Sequence, residues 1–222
     1  SAWKMALHLL VPVIVSILLN EIQSNAFRRI SQTLIYLPHF LSWIILAGIM
    51  IDLLSPNGGL VNRFLGLFGA EPIFFLGSNK WFRFTLVFTD VWKEFGFGTI
   101  VYLAAITNID PTQYEAATID GANRFQRIMH VTLPNMRMII VLMMVLSLGN
   151  VLNAGFDQVY NMYSEAVYST GDILDTFIYR LSFKNGLWGQ SAAVSMFKSV
   201  VSTLFISVSY LCAYKFADYR VF

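Results

Sequence analysis

Lys93, Glu94 and Lys198 are placed to do chemistry in this sequence, because each lies ten or more residues from the end of an apolar run. An ionisable side chain in such a setting is costly in lipid, so it faces a bundle interior or a water-filled path. Two readings follow. Lys93 or Lys198 pairs with Glu94 as a structural ion pair, or the lysines form a cationic lining for an acidic ligand. Asn153, Asp157 and Tyr160 stand where another apolar run ends, with Phe156 and Tyr163 beside them. Amide, carboxylate and phenol groups among aromatic rings suit a saccharide, whose hydroxyls need hydrogen bonds and whose ring faces stack. The same aromatics also fit a belt at a membrane interface. His8 and His39 read as packing or interface residues, and Asp52 and Asp90 sit near run ends, within reach of headgroups. The sequence has no metal-ligand cluster, nucleophile triad or phosphate-binding glycine loop. It also lacks G-x-x-x-x-G-K-[ST], so ATP hydrolysis is not chemistry this chain performs.

The elements that must position these residues are apolar helices. Of 222 residues, 56% are hydrophobic and 13% charged, and the mean hydropathy is +0.60. Soluble domains carry about 25% charged residues, so lipid is the solvent that matches this composition. A spanning helix needs about 20 mainly apolar residues. Five runs qualify: Ala6–Asn20, Tyr36–Leu54, Phe82–Ile106, Pro134–Ala154 and Leu187–Phe216. Pro12 interrupts the first, which neighbouring helices can accommodate. The last is long enough to tilt or to leave the membrane. Cys212, the single cysteine, rules out an internal disulfide and reads as a small packed hydrophobe. A net charge of +2 gives no sign of a nucleic-acid partner. The chain opens at Ser1 close to apolar sequence, with no initiator Met and no cleavage site, and so reads as a fragment. One transmembrane domain over 1–222 is the simplest account.

Residues 108–133 form a polar island between two of these runs. Asp110 caps a helix that Pro111 opens, and the helix continues over Thr112–Ile119 with Glu115 one turn in. Ala116 and Ala117 are small enough for another surface to approach the backbone, and Gly121 permits a bend. A second helix over Asn123–His130 carries Arg124 and Arg127, and Pro134 restarts the chain as a span.

The pattern Glu115-Ala116-Ala117-x3-Gly121-x9-Val131-x-Leu133-Pro134 resembles the cytoplasmic coupling loop of permease subunits of bacterial ATP-binding-cassette importers. Val131 stands where that family commonly has Ile. The resemblance implies an all-α, polytopic helical membrane protein with the type I importer permease fold: about five transmembrane helices here plus a cytoplasmic coupling helix. It further implies that Glu115 anchors the loop through polar contacts, and that Ala116, Ala117 and Gly121 fit a groove on an ATPase subunit. Asp120 and Arg124 belong to the same coupling surface, and Leu133-Pro134 sets the exit angle. Sugar permeases of this family commonly have one span more before the loop than the three counted here.

A second resemblance, over Leu152–Tyr163 and Val167–Arg180, is to the subgroup of carbohydrate permeases that includes the alginate importer's. It implies an oligosaccharide substrate, in some members acidic, and a multi-pass subunit in the bacterial inner membrane. The expected partners are membrane lipid, a second permease subunit (a heterodimer), two ATPase subunits that use ATP and Mg, and an extracytoplasmic solute-binding protein. No cofactor is expected on this chain. With the coupling segment cytoplasmic, loops 55–81 and 156–186 lie outside. Lys and Arg then number seven inside, Lys215 and Arg220 among them, against five outside, which agrees in sign with the positive-inside rule. The competing readings are a membrane enzyme acting on lipid-linked sugars, with Asp157, Asp172 and Asp175 as its only candidate carboxylates, and a permease of the same fold for a non-sugar solute.

Overall fold

The computed structural model describes the chain over residues 2–217, with side chains described to 211. The side chains of Cys212, Lys215 and Arg220 lie outside the described residues. Helices in chain order are α1 (Ala2–Asn20), α2 (Asn25–Tyr36), α3 (Trp43–Leu54), α4 (Leu60–Gly66), α5 (Asn79–Thr107), α6 (Pro111–Ile119), α7 (Arg124–Arg127), α8 (Leu133–Gly149), α9 (Phe156–Met162), α10 (Tyr168–Gly171), α11 (Leu174–Tyr179) and α12 (Trp188–Ala217). No strand occurs among the described residues.

By length and composition, three described segments can cross a membrane: Ala2–Asn20, Arg124–Gly149 and Trp188–Leu211. The apolar run Tyr36–Leu54 is not one straight helix. Asn25–Phe40 and Trp43–Leu54 meet at 102° and make a fourth span if counted together. The cause lies in the sequence: Pro38 sits in a 3-10 turn over Leu37–Phe40, and Ser42 starts α3 afresh by accepting from the Ile45 amide. Helix α5 has 29 residues and is long enough, at about 44 Å, but Asp90, Lys93 and Glu94 lower its hydropathy. Apolar side chains face outward along these helices, among them Leu10, Ile14 and Leu18 on α1 and Phe197, Val200 and Leu204 on α12. Such an exterior suits hydrocarbon.

The chain divides into two compact units. The first contains residues 40–90 and 152–202. Its core joins Leu46, Ala47 and Met50 of α3 to Phe82 and Leu86 of α5 and to Val159 and Met162 of α9. Gln158 is fully buried there and donates to the Leu86 carbonyl and to Thr89 Oγ1, both at 2.8 Å. The second unit contains residues 2–39, 91–151 and the described residues from 203 on. Its core packs Tyr102 and Ile106 of α5 against Met136 of α8, with Val13 and Ile17 of α1 alongside. Backbones come close at Gly96, where a Cβ would lie 1.9 Å from the Ile35 carbonyl oxygen. Small residues permit such helix crossings in lipid.

Candidate functional site

The polar island folds as a knob. Asp110 Oδ1 accepts from the Thr112 amide at 2.9 Å, and Pro111 begins α6. Hydrogen bonds from the Thr112 amide and side chain hold the Asp110 carboxyl below the usual range. At the other end of α6, Gly121 adopts φ +78°. Its amide donates to Thr118 O at 3.0 Å, and that of Ala122 to Ala117 O at 2.9 Å. This is the paired closure that a left-handed residue allows at a helix C-terminus. Asn123 and Gln126 then cap α7 reciprocally, at 2.9 and 2.8 Å.

Three side-chain links hold the knob together. Arg127 Nη1 donates to Thr118 Oγ1 at 3.1 Å, Tyr114 Oη lies 3.0 Å from Thr132 Oγ1, and Asn135 Nδ2 donates to Gln113 Oε1 at 2.8 Å. Arg127 was singled out from sequence, but none of these links was. Tyr114 and Thr132, 18 positions apart, are brought together only by the reversal at Gly121. Pro134 stands in the first turn of α8, as expected, but no loop precedes it. Ile128–Thr132 forms a π turn, and the Leu133 amide donates to Ile128 O, so the helix runs on from Arg124 to Gly149. Proline has no N–H to continue an α ladder, and the widened turn lies immediately before it.

Glu115, Ala116, Asp120, Gly121, Arg124 and Pro134 are exposed, whereas Ala117 and Leu133 are half-buried. Glu115 makes no side-chain hydrogen bond to any described residue. Ile119 and Phe125 are 86% and 70% exposed. Two bare apolar side chains on an otherwise polar knob were legible as a contact surface, yet the sequence reading did not single them out.

The intramembrane charges are paired. Lys93 is buried; its Nζ donates to Glu94 Oε1 and to the His39 carbonyl, both at 2.9 Å. Neighbours on a helix do not normally face each other, and His39 completes the arrangement, with Nδ1 2.7 Å from Glu94 Oε2 and its ring stacked on Phe97 at 4.2 Å. His39 therefore does more than pack. Lys198 pairs with Asp175, at 2.5 Å, and also donates to Asn153 Oδ1 at 3.2 Å. Asp175 was not expected in this role.

Asp157 and Tyr160 lie exposed on α9, which starts at Gly155 with φ +86°. Tyr160 belongs to a connected series of rings. It stacks on Phe156 at 5.3 Å and meets Tyr179 edge-on at 4.8 Å, with 3.0 Å between the two hydroxyls. Tyr179 continues to Phe183 at 5.1 Å and Phe183 to Trp188 at 5.2 Å. Arg180 grips Asp172 with both arms, at 2.8 and 2.5 Å, and lies over the Tyr168 ring. Burial pushes the Asp172 carboxyl up, but the Arg180 fork and the Thr176 hydroxyl outweigh it and hold the group below the usual carboxylate range.

The family described as "binding-protein-dependent transport system inner membrane component" matches residues 8–221. The chain belongs to that family. It is 38% identical over 221 residues to the polygalacturonan/rhamnogalacturonan transport system permease protein YteP of Bacillus subtilis, covering 100% of this chain and 69% of that protein. It is 41% identical over 211 residues to protein LplB of the same organism, covering 95% and 66%. The chain thus spans about two thirds of the length of these curated relatives. Its fold matches a chain in the crystal structure of a bacterial ABC transporter involved in the import of the acidic polysaccharide alginate, with TM-score 0.90 and 34% identity over 97% of this chain and 78% of that one. A second structure of the alginate transporter, in complex with an alginate pentasaccharide-bound periplasmic protein, matches at TM-score 0.90 and 36% identity. The chain is therefore an all-α, multi-pass membrane protein with the importer permease fold.

Proposed function

We propose that the chain is the permease subunit of an ATP-driven, binding-protein-dependent importer of oligosaccharides, acting as one transmembrane domain that forms half of the translocation path. The observation that carries this reading is the knob from Asp110 to Pro134: closed at Gly121, tied to the base of α8 through Tyr114–Thr132 and Gln113–Asn135, and bare at Ile119 and Phe125. A compact projection rigidly joined to a membrane helix converts a push at its tip into rotation of that helix. Two ATPase subunits, which carry the ATP and Mg, supply the push in the cytoplasm, and Glu115, Ala116, Ala117, Asp120, Gly121 and Arg124 meet their surface. A second permease subunit completes the path in the inner membrane, and an extracytoplasmic binding protein delivers the sugar from the side of loops 55–81 and 156–186. The relatives that transport polygalacturonan and alginate support a saccharide substrate. So does the ring series around Tyr160, with Asn153, Asp157 and Lys198 on the same unit as polar groups of the path.

The test is Glu115→Lys and, separately, Ile119→Asp in the full-length protein within its importer. Both positions are exposed, so the subunit should insert normally while sugar uptake and transport-stimulated ATP hydrolysis are lost. Wild-type uptake in both variants overturns the coupling assignment.

A further inference from the structure

The Lys198–Asp175 pair has the features of a site that exchanges carboxylates. Both side chains stay partly exposed on the chain, at 17% and 24%, although Lys198 lies in the body of α12. Three separate elements meet there: Asn153 after α8, Asp175 on α11 and Lys198 on α12. A sealed ion pair would serve only structure, and such pairs add little net stability. An accessible one can change partners.

What adjoins the pair indicates the incoming partner. Asp175 and Tyr179 lie one turn apart on the same face of α11, the spacing at which helical side chains are neighbours. From Tyr179 the rings continue to Tyr160 and Phe156 on one side and to Phe183 and Trp188 on the other. Phe183 and Trp188 are well exposed. The pair thus adjoins, through Asp175 and Tyr179, a series of rings that carries the Tyr160 and Tyr179 hydroxyls. Ring faces take the C–H faces of pyranoses, phenols take their hydroxyls, and the ammonium takes a carboxylate. A chain of uronic acid residues presents all three together.

We infer that Asp175 acts as a resident carboxylate that competes with substrate uronates for Lys198, so that each acidic residue is first accepted and then released beside these rings. The inference rests on the importer reading above. Its physical basis is that passage requires binding favourable enough to enter and weak enough to leave. A lone ammonium in a partly desolvated setting would hold a polyanion too long. With Asp175 at hand, losing the substrate's carboxylate restores an ion pair rather than exposing a bare charge. Binding becomes an exchange of one charge-assisted hydrogen bond for another.

The test uses the complete importer with the full-length protein in proteoliposomes, fed either a uronic acid oligosaccharide or its uncharged methyl ester. Asp175→Asn removes the competitor. The KM for the acid should fall about tenfold, the factor expected for one charge-assisted hydrogen bond, and the maximal rate should fall with it as release slows. Lys198→Gln should move KM for the acid the opposite way. The acid-over-ester preference then runs Asp175→Asn, wild type, the double variant, Lys198→Gln, from highest to lowest. The double variant leaves no unpaired charge, so it keeps the comparison valid even if one single variant fails to accumulate. A purely structural pair predicts loss of abundance in both single variants, recovery in the double, and an unchanged preference throughout; that pattern overturns the exchange. Uptake of neither sugar by the wild-type importer would instead overturn the saccharide reading on which the exchange depends.

Discussion

Gly121 separates two explanations of why the Asp110–Pro134 knob has a glycine at its turn. A Cβ at this position would meet nothing within 4 Å in the chain, but the backbone is held at φ +78°. Within the subunit the demand is therefore on conformation rather than space. A residue with a Cβ pays about 1–2 kcal/mol in the left-handed region, which shifts the closed knob toward a frayed one by a factor of about five to thirty. Asparagine visits this region several-fold more readily than other residues, so Gly121→Asn should be milder than Gly121→Ala although its side chain is larger. Gly121→Val, β-branched and poorest of all at positive φ, should be the most damaging. A groove that merely limits size predicts another order, with Ala mildest. The assay is ATP-dependent sugar uptake normalised to subunit abundance in the membrane, with hydrogen exchange at residues 116–123 reporting fraying. Transport that is better in Gly121→Ala than in Gly121→Asn, with equal exchange protection, refutes the conformational argument.

Gly96→Ala should lower the melting temperature of the purified subunit, because the added methyl would stand 1.9 Å from the Ile35 carbonyl oxygen and overpacking of this kind costs about 1–3 kcal/mol; an unchanged midpoint would contradict the close crossing. The Asp172–Arg180 clasp should hold the loop over 168–186 through neutral and mildly acidic pH. A carboxyl whose folded pKa is depressed contributes stability above its unfolded value and loses it as pH falls through the folded value, so protease sensitivity should rise only below about pH 4. Asp172→Asn should make the loop sensitive across the whole range, and a wild-type loop that opened between pH 5 and 7 would rule the clasp out.

The sequence made the local signals legible. Asp110-Pro111 opened a helix and Gly121 broke it where expected, because caps and left-handed residues act within one turn. Of the five apolar runs, four are a single helix over most of their length, and Tyr36–Leu54 is broken between Phe40 and Trp43. The bend near Phe40 was readable from Pro38 and Ser42, but the unbroken apolar run hid it, since hydropathy records solvent and not direction. Pro134 stands in the first turn of α8, as its sequence position implied, but the π turn over Ile128–Thr132 that joins α7 to α8 without a break was not legible.

Pairings were beyond reach where the partners lie far apart in the chain. Lys93 and Glu94 were legible as a pair, but His39, 55 residues from Glu94, was not. Lys198 and Asp175 are 23 residues apart, and nothing in either sequence neighbourhood announces the other. The difference matters for function. From sequence, Lys198 was a cation in an apolar helix, to be neutralised either by Glu94 or by an anionic ligand. In the fold a carboxylate from its own chain already does so. An acidic sugar therefore gains little by charge alone at this position, and any selectivity must come from competition with Asp175 together with the ring faces beside it. That is a stricter condition than a cationic lining, because it requires the two carboxylates to be nearly equivalent in free energy on one ammonium.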